Sequence, residues 1–194
     1  MITNESLHTD LIARCVAGEL AAQEEWVRQN HLPVYRLALA TLDDPAEADD
    51  IAQEVLLTAL DALKSFRGDA TLRTWLYTLT VNACRGRMRK QRVRQRLQET
   101  LQGLFRLHQQ AALPIEEQTI RRQSNGMLWE AIQALPDGQR MTVILRYYQE
   151  LPVAEVAQVL QISERSAYER LQAAHAKLRA SLGAIFEDDG GAYA

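Results

Sequence analysis

A chain of 194 residues that is 47% apolar has material for one or two small buried cores, and 9 Gly and 5 Pro are too few for a turn-rich all-β protein, a collagen or a low-complexity chain. Two cysteines, Cys15 and Cys84, exclude a disulfide scaffold and a four-cysteine zinc site, and the four scattered histidines form no ligand cluster, so neither metal nor cofactor is expected. The net charge of −3 hides two segregated blocks: Asp43, Asp44, Glu47, Asp49, Asp50, Glu54 and Asp61 stand together without Lys or Arg, and residues 85–96 hold seven cations without an acid.

The opening MITNESLHTD has no basic start and no long apolar core, so no signal peptide is expected. No apolar run approaches the ~18 residues of a membrane span, which leaves the cytoplasm as the expected compartment, with no membrane contact. Residues 7–17 and 19–30 read as two short helices broken at Gly18, and Pro33 as the opening of a third apolar segment. In LDDP, Asp43 or Asp44 can cap and Pro45 can start the next helix. Within residues 46–66, Ile51, Val55, Ala59, Ala62 and Phe66 recur at helical spacing. The loop RGDAT follows, then a helix over 71–96 with Leu72, Trp75, Leu76, Leu79 and Ala83 on one stripe.

Residues 97–126 lose this periodicity and read as a linker, helical in part up to about residue 110. Periodic apolar spacing resumes at residue 127, with a turn at Pro136-Asp137-Gly138. A short helix over 152–160, a tight connection and a longer helix from Ser163 to Leu182 complete the chain, and the tail EDDGGAYA is expected to be disordered. The fold class is therefore all-α. Two small helical domains (1–96 and 127–182) are joined by a flexible linker (97–126), with a tail over 183–194.

Three features carry chemistry. The last two helices have the spacing of a helix-turn-helix, whose second helix enters the major groove. Its exposed side shows Arg165, Ser166, Tyr168, Glu169, Arg170 and Gln172, among which Arg can bridge guanine and Gln adenine. Residues 137–182 carry six basic and five acidic side chains, a weak cation content for a DNA reader. The second feature is the helix ending in Arg85, Arg87, Arg89, Lys90, Arg92, Arg94 and Arg96. Its outer face is expected to show Thr74, Tyr77, Thr78, Val81, Asn82 and Arg85, suited to stacking on unpaired bases, reading their edges and following phosphates. The third is an acidic face with an exposed leucine (Asp50, Gln53, Glu54, Leu57 and Asp61), suited to docking on a basic helical surface of a partner protein. No Gly-rich phosphate loop, nucleophile elbow or Cys–His pairing is present, so no catalytic residue is assigned and the chain is not expected to be an enzyme.

These residues also carry a resemblance. The stretch VYRLALATLDDPAEADDIAQEVLLTALDALKSFRGDATLRTWLYTLTVNACRGRMRK resembles the second region of bacterial RNA polymerase sigma factors of the extracytoplasmic-function group, and ALPDGQRMTVILRYYQELPVAEVAQVLQISERSAYERLQAAHAKL resembles their fourth region. The resemblance implies a promoter-specificity subunit that binds core RNA polymerase and directs initiation. It implies docking on the clamp helices of the largest polymerase subunit through Asp50, Gln53, Glu54 and Leu57, beside Asp61. It implies recognition and melting of the −10 element by Phe66, Arg67, Asp69, Thr71, Trp75, Tyr77, Asn82 and Arg85, next to Arg87, Arg89, Lys90 and Arg92. It implies reading of the −35 duplex by Arg165, Ser166, Tyr168, Glu169, Arg170 and Gln172. An anti-sigma partner is implied by analogy alone.

The chain departs from the family pattern at several positions. The family usually has Arg where Val81 stands, Asp where Gly86 stands, and basic residues where Tyr168, Ala173 and His175 stand. It usually has Gly where Gln161 stands, so a non-Gly residue is expected in a left-handed conformation there. Two other readings stay open on sequence grounds: a stand-alone helix-turn-helix regulator, and a divergent sigma-like chain acting by protein–protein interaction.

Overall fold

The computed structural model describes residues 4–66, 68, 70–106 and 125–189. Its elements are all helical: α1 (Asn4–Val16), α2 (Leu20–Leu42), α3 (Pro45–Ala62), α4 (Leu72–Arg106), α5 (Asn125–Gln133), α6 (Asp137–Val143), α7 (Val153–Leu160) and α8 (Glu164–Asp189). The all-α expectation is met, and most boundaries have local causes. Gly18, at φ +86°, makes the break between α1 and α2, and the Arg14–Glu19 ion pair spans it. Asp44 caps α3, its carboxylate accepting from the amides of Ala46 at 2.9 Å and Glu47 at 3.0 Å, with Pro45 at the first helical position.

Pro33 does not open a new element. It sits inside α2, which runs through it with Ala22 and Trp26 buried before it and Val34, Leu37 and Ala38 buried after it. Burial of one continuous apolar face outweighs the hydrogen bond that proline removes. α4 continues to Arg106, within the part of 97–126 expected to be helical, and residues 107–124 lie outside the described residues. The expected disordered tail is helix as far as Asp189, and residues 190–194 lie outside the described residues.

The first core fills the space between α1, α2, α3 and α4 with Leu11, Trp26, Val34, Ile51, Val55, Leu56, Leu76 and Cys84. Ile51, Val55 and Ala59 of the stripe expected on α3 pack here, as does the α4 stripe with the partly buried Leu72, Trp75, Leu79 and Ala83, whereas α3 ends at Ala62 and Phe66 lies beyond it against Trp75. A second core joins the two halves of the chain. Leu37 and Ala40 of α2 and Tyr77, Val81 and Met88 of α4 pack with Met141, Ile144, Leu145, Leu151, Val156, Val159 and Leu160. A third, smaller core holds α8 to the preceding helices through Leu135, Val143, Leu171 and Ala174.

Between α6 and α7 the chain makes a π-helical turn over Ile144–Tyr148, in which the Gln149 amide donates to the Ile144 carbonyl at 3.0 Å. Gln161 closes α7 at φ 56°, ψ 47°, the left-handed conformation expected from its place in the helix-turn-helix. The Ile162 amide then returns to the Ala157 carbonyl at 3.0 Å, and the Ser163 hydroxyl accepts from the Ser166 amide at 3.1 Å to start α8.

Both cysteines are buried thiols. Burial pushes Cys84 up to about 12 and raises Cys15 above its ordinary range. Because the unfolded thiol releases its proton near pH 8.5 while folded Cys84 keeps it, the unfolded state binds fewer protons above that pH. Stability should therefore be full below about pH 8.5 and fall as pH rises toward 12. Urea midpoints measured from pH 8 to 11 check this: Cys84→Ala should flatten the decline, and neither thiol should react with a disulfide reagent before unfolding.

Candidate docking face and nucleic-acid interface

The acidic face of α3 is laid out as the spacing requires. Ala48, Ile51, Ala52, Val55, Leu56 and Ala59 point inward, which leaves Asp50, Gln53, Glu54, Leu57 and Asp61 exposed. Leu57 keeps 64% of its surface in solvent, a large value for leucine within an otherwise acidic face. Gln53 is oriented by donating to Asp49 at 2.8 Å.

The structure adds a cation to this face. Arg87 reaches across from α4 to pair with Glu47, and lies 3.7 Å from Asp50 and 4.0 Å from Glu54. It was expected to follow phosphate, yet its guanidinium faces these carboxylates. Glu47 was not among the sequence-derived site residues. Its signal, an acid in the first turn of α3, reads equally well as a favourable partner for the helix dipole.

The expected outer face of α4 is corrected. Thr74, Tyr77 and Val81 are each at most 4% exposed, because the second half of the chain covers them. The Thr74 hydroxyl donates to Glu155 at 2.9 Å, Arg73 lies 3.6 Å from the same carboxylate, and the Tyr77 hydroxyl donates to Gln149 at 2.8 Å. Burial accordingly raises the Tyr77 pKa. Arg85 is half-buried, and burial, reinforced by the positive charge of Arg170 and opposed by Asp137, lowers its pKa. Arg92 pairs with Asp137, which also binds Arg140 at 3.0 Å.

Asn82, Arg89, Lys90 and Arg94 remain exposed. Phe66 and Trp75 meet with ring centroids 5.2 Å apart, and Ser65, Phe66, Gly68, Ala70, Thr74, Trp75, Thr78 and Gln158 line a pocket of about 440 Å³. The Thr71 hydroxyl accepts from the Thr74 amide at 3.1 Å and so helps to start α4. Arg67 and Asp69 lie outside the described residues.

On α8, Arg165, Tyr168, Glu169 and Gln172 are exposed on one side of the helix, with Ser166 partly so. Two of its arginines have neighbours within the chain. Arg165 is held by Glu169 at 2.9 Å, and the Arg170 guanidinium lies against Gly138, where an added Cβ would come within 3.3 Å of it. Tyr147 and His175 hydrogen-bond at 2.9 Å beside them. Among the described residues no group of His, Cys, Asp and Glu could hold a metal ion, and no helix is long and apolar enough to cross a membrane.

Residues 26–94 match the family model for Sigma-70 region 2, and residues 125–178 the model for Sigma-70, region 4. The chain is 29% identical over 180 residues to the ECF RNA polymerase sigma factor SigM of Mycobacterium tuberculosis, covering 93% of this chain and 87% of that protein. It is 29% identical over 155 residues to the ECF RNA polymerase sigma factor SigW of Bacillus subtilis, covering 77% and 82%. In fold it is similar to the sigma factor RpoE of Bartonella quintana in its complex with the anti-sigma factor NepR (TM-score 0.63, 19% identity, 82% of this chain and 96% of that one). It is also similar to CnrH in complex with the cytosolic domain of CnrY (TM-score 0.62, 22% identity, 90% and 96%). With both regions present in order, the chain belongs to the sigma-70 family, in the extracytoplasmic-function group of RNA polymerase sigma factors, which direct promoter-specific transcription initiation.

Proposed function

We propose that the three surfaces divide the work of a sigma factor as follows. The exposed face of α3, with Asp50, Gln53, Glu54, Leu57 and Asp61, docks on basic helical surface of the polymerase clamp. The Phe66–Trp75 pocket and the arginine-rich part of α4 hold an opened promoter strand. The exposed side of α8 contacts duplex upstream. The observation that carries this reading is the juxtaposition of α3 and α4: a carboxylate face with an unshielded leucine stands directly beside a helix whose end is a run of cations.

Each chemistry fits its assigned partner. A carboxylate row with one apolar anchor gives electrostatic steering and a buried contact at once. Aromatic rings beside a cavity can stack one unpaired base irrespective of its identity, while exposed Arg89, Lys90 and Arg94 neutralise phosphates. The polymerase performs the phosphoryl transfer, so this chain contributes no catalytic residue. Its compartment is the cytoplasm, where the polymerase and promoter are. The complexes of RpoE of Bartonella quintana with its anti-sigma factor NepR and of CnrH with the cytosolic domain of CnrY support a protein regulator of this chain.

The test is run-off transcription with purified core polymerase on a genomic library. The chain should direct discrete start sites that core alone does not use. Specific binding of duplex DNA by the free chain, with no start sites in the presence of core, would instead favour a stand-alone regulator.

A further inference from the structure

We propose that Arg87 belongs to the polymerase-docking face rather than to the strand-binding surface, and that it holds core affinity down as an internal rival to the partner's cations. The inference rests on the docking role proposed above for α3 and deepens it, by naming the α4 residue that sets how strongly that face binds.

Arg87 is placed unlike its neighbours in the cationic block. Arg89, Lys90 and Arg94 are exposed, whereas the Arg87 side chain keeps only 24% of its surface in solvent. It lies between buried Cys84 and Met88 in sequence and crosses from α4 to α3. There it pairs with Glu47, 3.7 Å from Asp50 and 4.0 Å from Glu54. These three acids stand at i, i+3 and i+7, on one face of α3. They differ in access to a partner. Glu47 keeps 28% of its side chain in solvent, Asp50 67% and Glu54 62%. The guanidinium therefore sits at the inner edge of the acidic face. Its closest anion is the sheltered one, and its other two are the ones open to docking.

The physics of that position gives Arg87 its role. A guanidinium carries five N–H donors in a planar fork, so one arginine can address several carboxylates. A phosphate could reach it only by displacing Glu47. Binding to an acidic face depends on the summed negative potential of that face, and one positive charge at its edge lowers the potential for every incoming cation. At 3.7 and 4.0 Å, Asp50 and Glu54 are held by charge rather than by hydrogen bonds, so they stay available but attract less. Glu47 decides where the charge rests. With Glu47 ionised the guanidinium is drawn inward; without it, Asp50 and Glu54 are the two remaining α3 carboxylates of the cluster. A pair that merely tied α3 to α4 would behave otherwise, because breaking it from either end would have the same effect.

The experiment titrates labelled core RNA polymerase with the full chain and its variants, with a thermal melt of each. Arg87→Gln should tighten core binding about fivefold, since the two exposed attractions it relieves are individually small. Glu47→Gln breaks the same pair from the other end and should loosen core binding about threefold. Added to Arg87→Gln, it should change little, because the charge through which it acts is gone. Arg87→Lys keeps the charge and should stay near the parent affinity. Arg87→Met, which keeps an apolar stem against α3, is the second neutral variant should Arg87→Gln melt early. Unchanged or weaker core binding by the neutral variants that melt normally would overturn the proposal. An equal loss from Arg87→Gln and Glu47→Gln would overturn it too, by showing a structural tie. An equal loss from Glu47→Gln in both backgrounds would overturn the part given to Glu47. Reversing Asp50 and Glu54 to lysine separates this inference from the reading beneath it. If that reversal leaves core affinity unchanged, α3 is not the docking face and both fall; if it weakens binding while the neutral Arg87 variants do not tighten it, the role of Arg87 alone fails.

Discussion

Reversing Asp50 and Glu54 to lysine together will weaken binding of core RNA polymerase by at least about tenfold. Close interfacial charge pairs are worth about 1.5 kcal/mol or more each, and a tenfold change needs only ~1.4 kcal/mol, so losing two attractions and creating two repulsions clears that mark. Both side chains are exposed on α3 and make no contact with the buried cores, so the fold should survive. Their one internal partner, Arg87, keeps Glu47. Glu130→Lys, an exposed acid on α5, is the control for net charge. The measurement is titration of labelled polymerase with each variant, alongside a thermal melt. Unchanged affinity in the double reversal, with a normal melt, would remove α3 as the docking face.

Neutralising Arg89, Lys90 and Arg94 to glutamine should lower the salt slope of promoter binding by the assembled holoenzyme by about two units, at ~0.7 per phosphate released from a single strand. At 0.1 M salt this corresponds to a loss on the order of a hundredfold in DNA affinity. These three are chosen because they are exposed and have no ion-pair partner among the described residues, whereas Arg87 and Arg92 already face Glu47 and Asp137. Arg87→Gln alone should therefore change the slope less than any of the three. Measuring binding of a labelled promoter fragment from 50 to 200 mM salt checks both statements, and a slope that stays flat across the triple variant would show that this part of α4 does not follow phosphate.

The local parts of this structure were legible in the sequence because they depend on neighbours a few residues apart. The α3 stripe, the Asp44 cap with Pro45, the left-handed Gln161 and the Ser163 start of α8 follow from helical periodicity and cap chemistry. The acidic face was legible for the same reason, since inward residues of one helix define its outward ones. Pro33 was misread because its penalty is local and its compensation, the burial of Trp26 and Val34 on the same helix, is tertiary.

The outward face of α4 was misread for a different cause. A helix covered on two sides carries two apolar stripes, and polar residues within the second stripe disguise it. Thr74 and Tyr77 looked solvent-facing because their hydroxyls need partners, and those partners, Glu155 and Gln149, stand more than seventy positions away. Arg87 and Glu47, forty positions apart, were legible separately as members of opposite charge blocks but not as a pair.

Arg87 has a thermodynamic consequence. It belongs to the helix assigned to DNA, yet three α3 carboxylates hold it within 4.0 Å. A basic surface that takes up Asp50 and Glu54 competes with Arg87 for two of those anions, while Glu47 keeps the guanidinium. Linkage is reciprocal, so the factor by which Arg87 weakens that docking is also the factor by which docking weakens its hold on those two carboxylates.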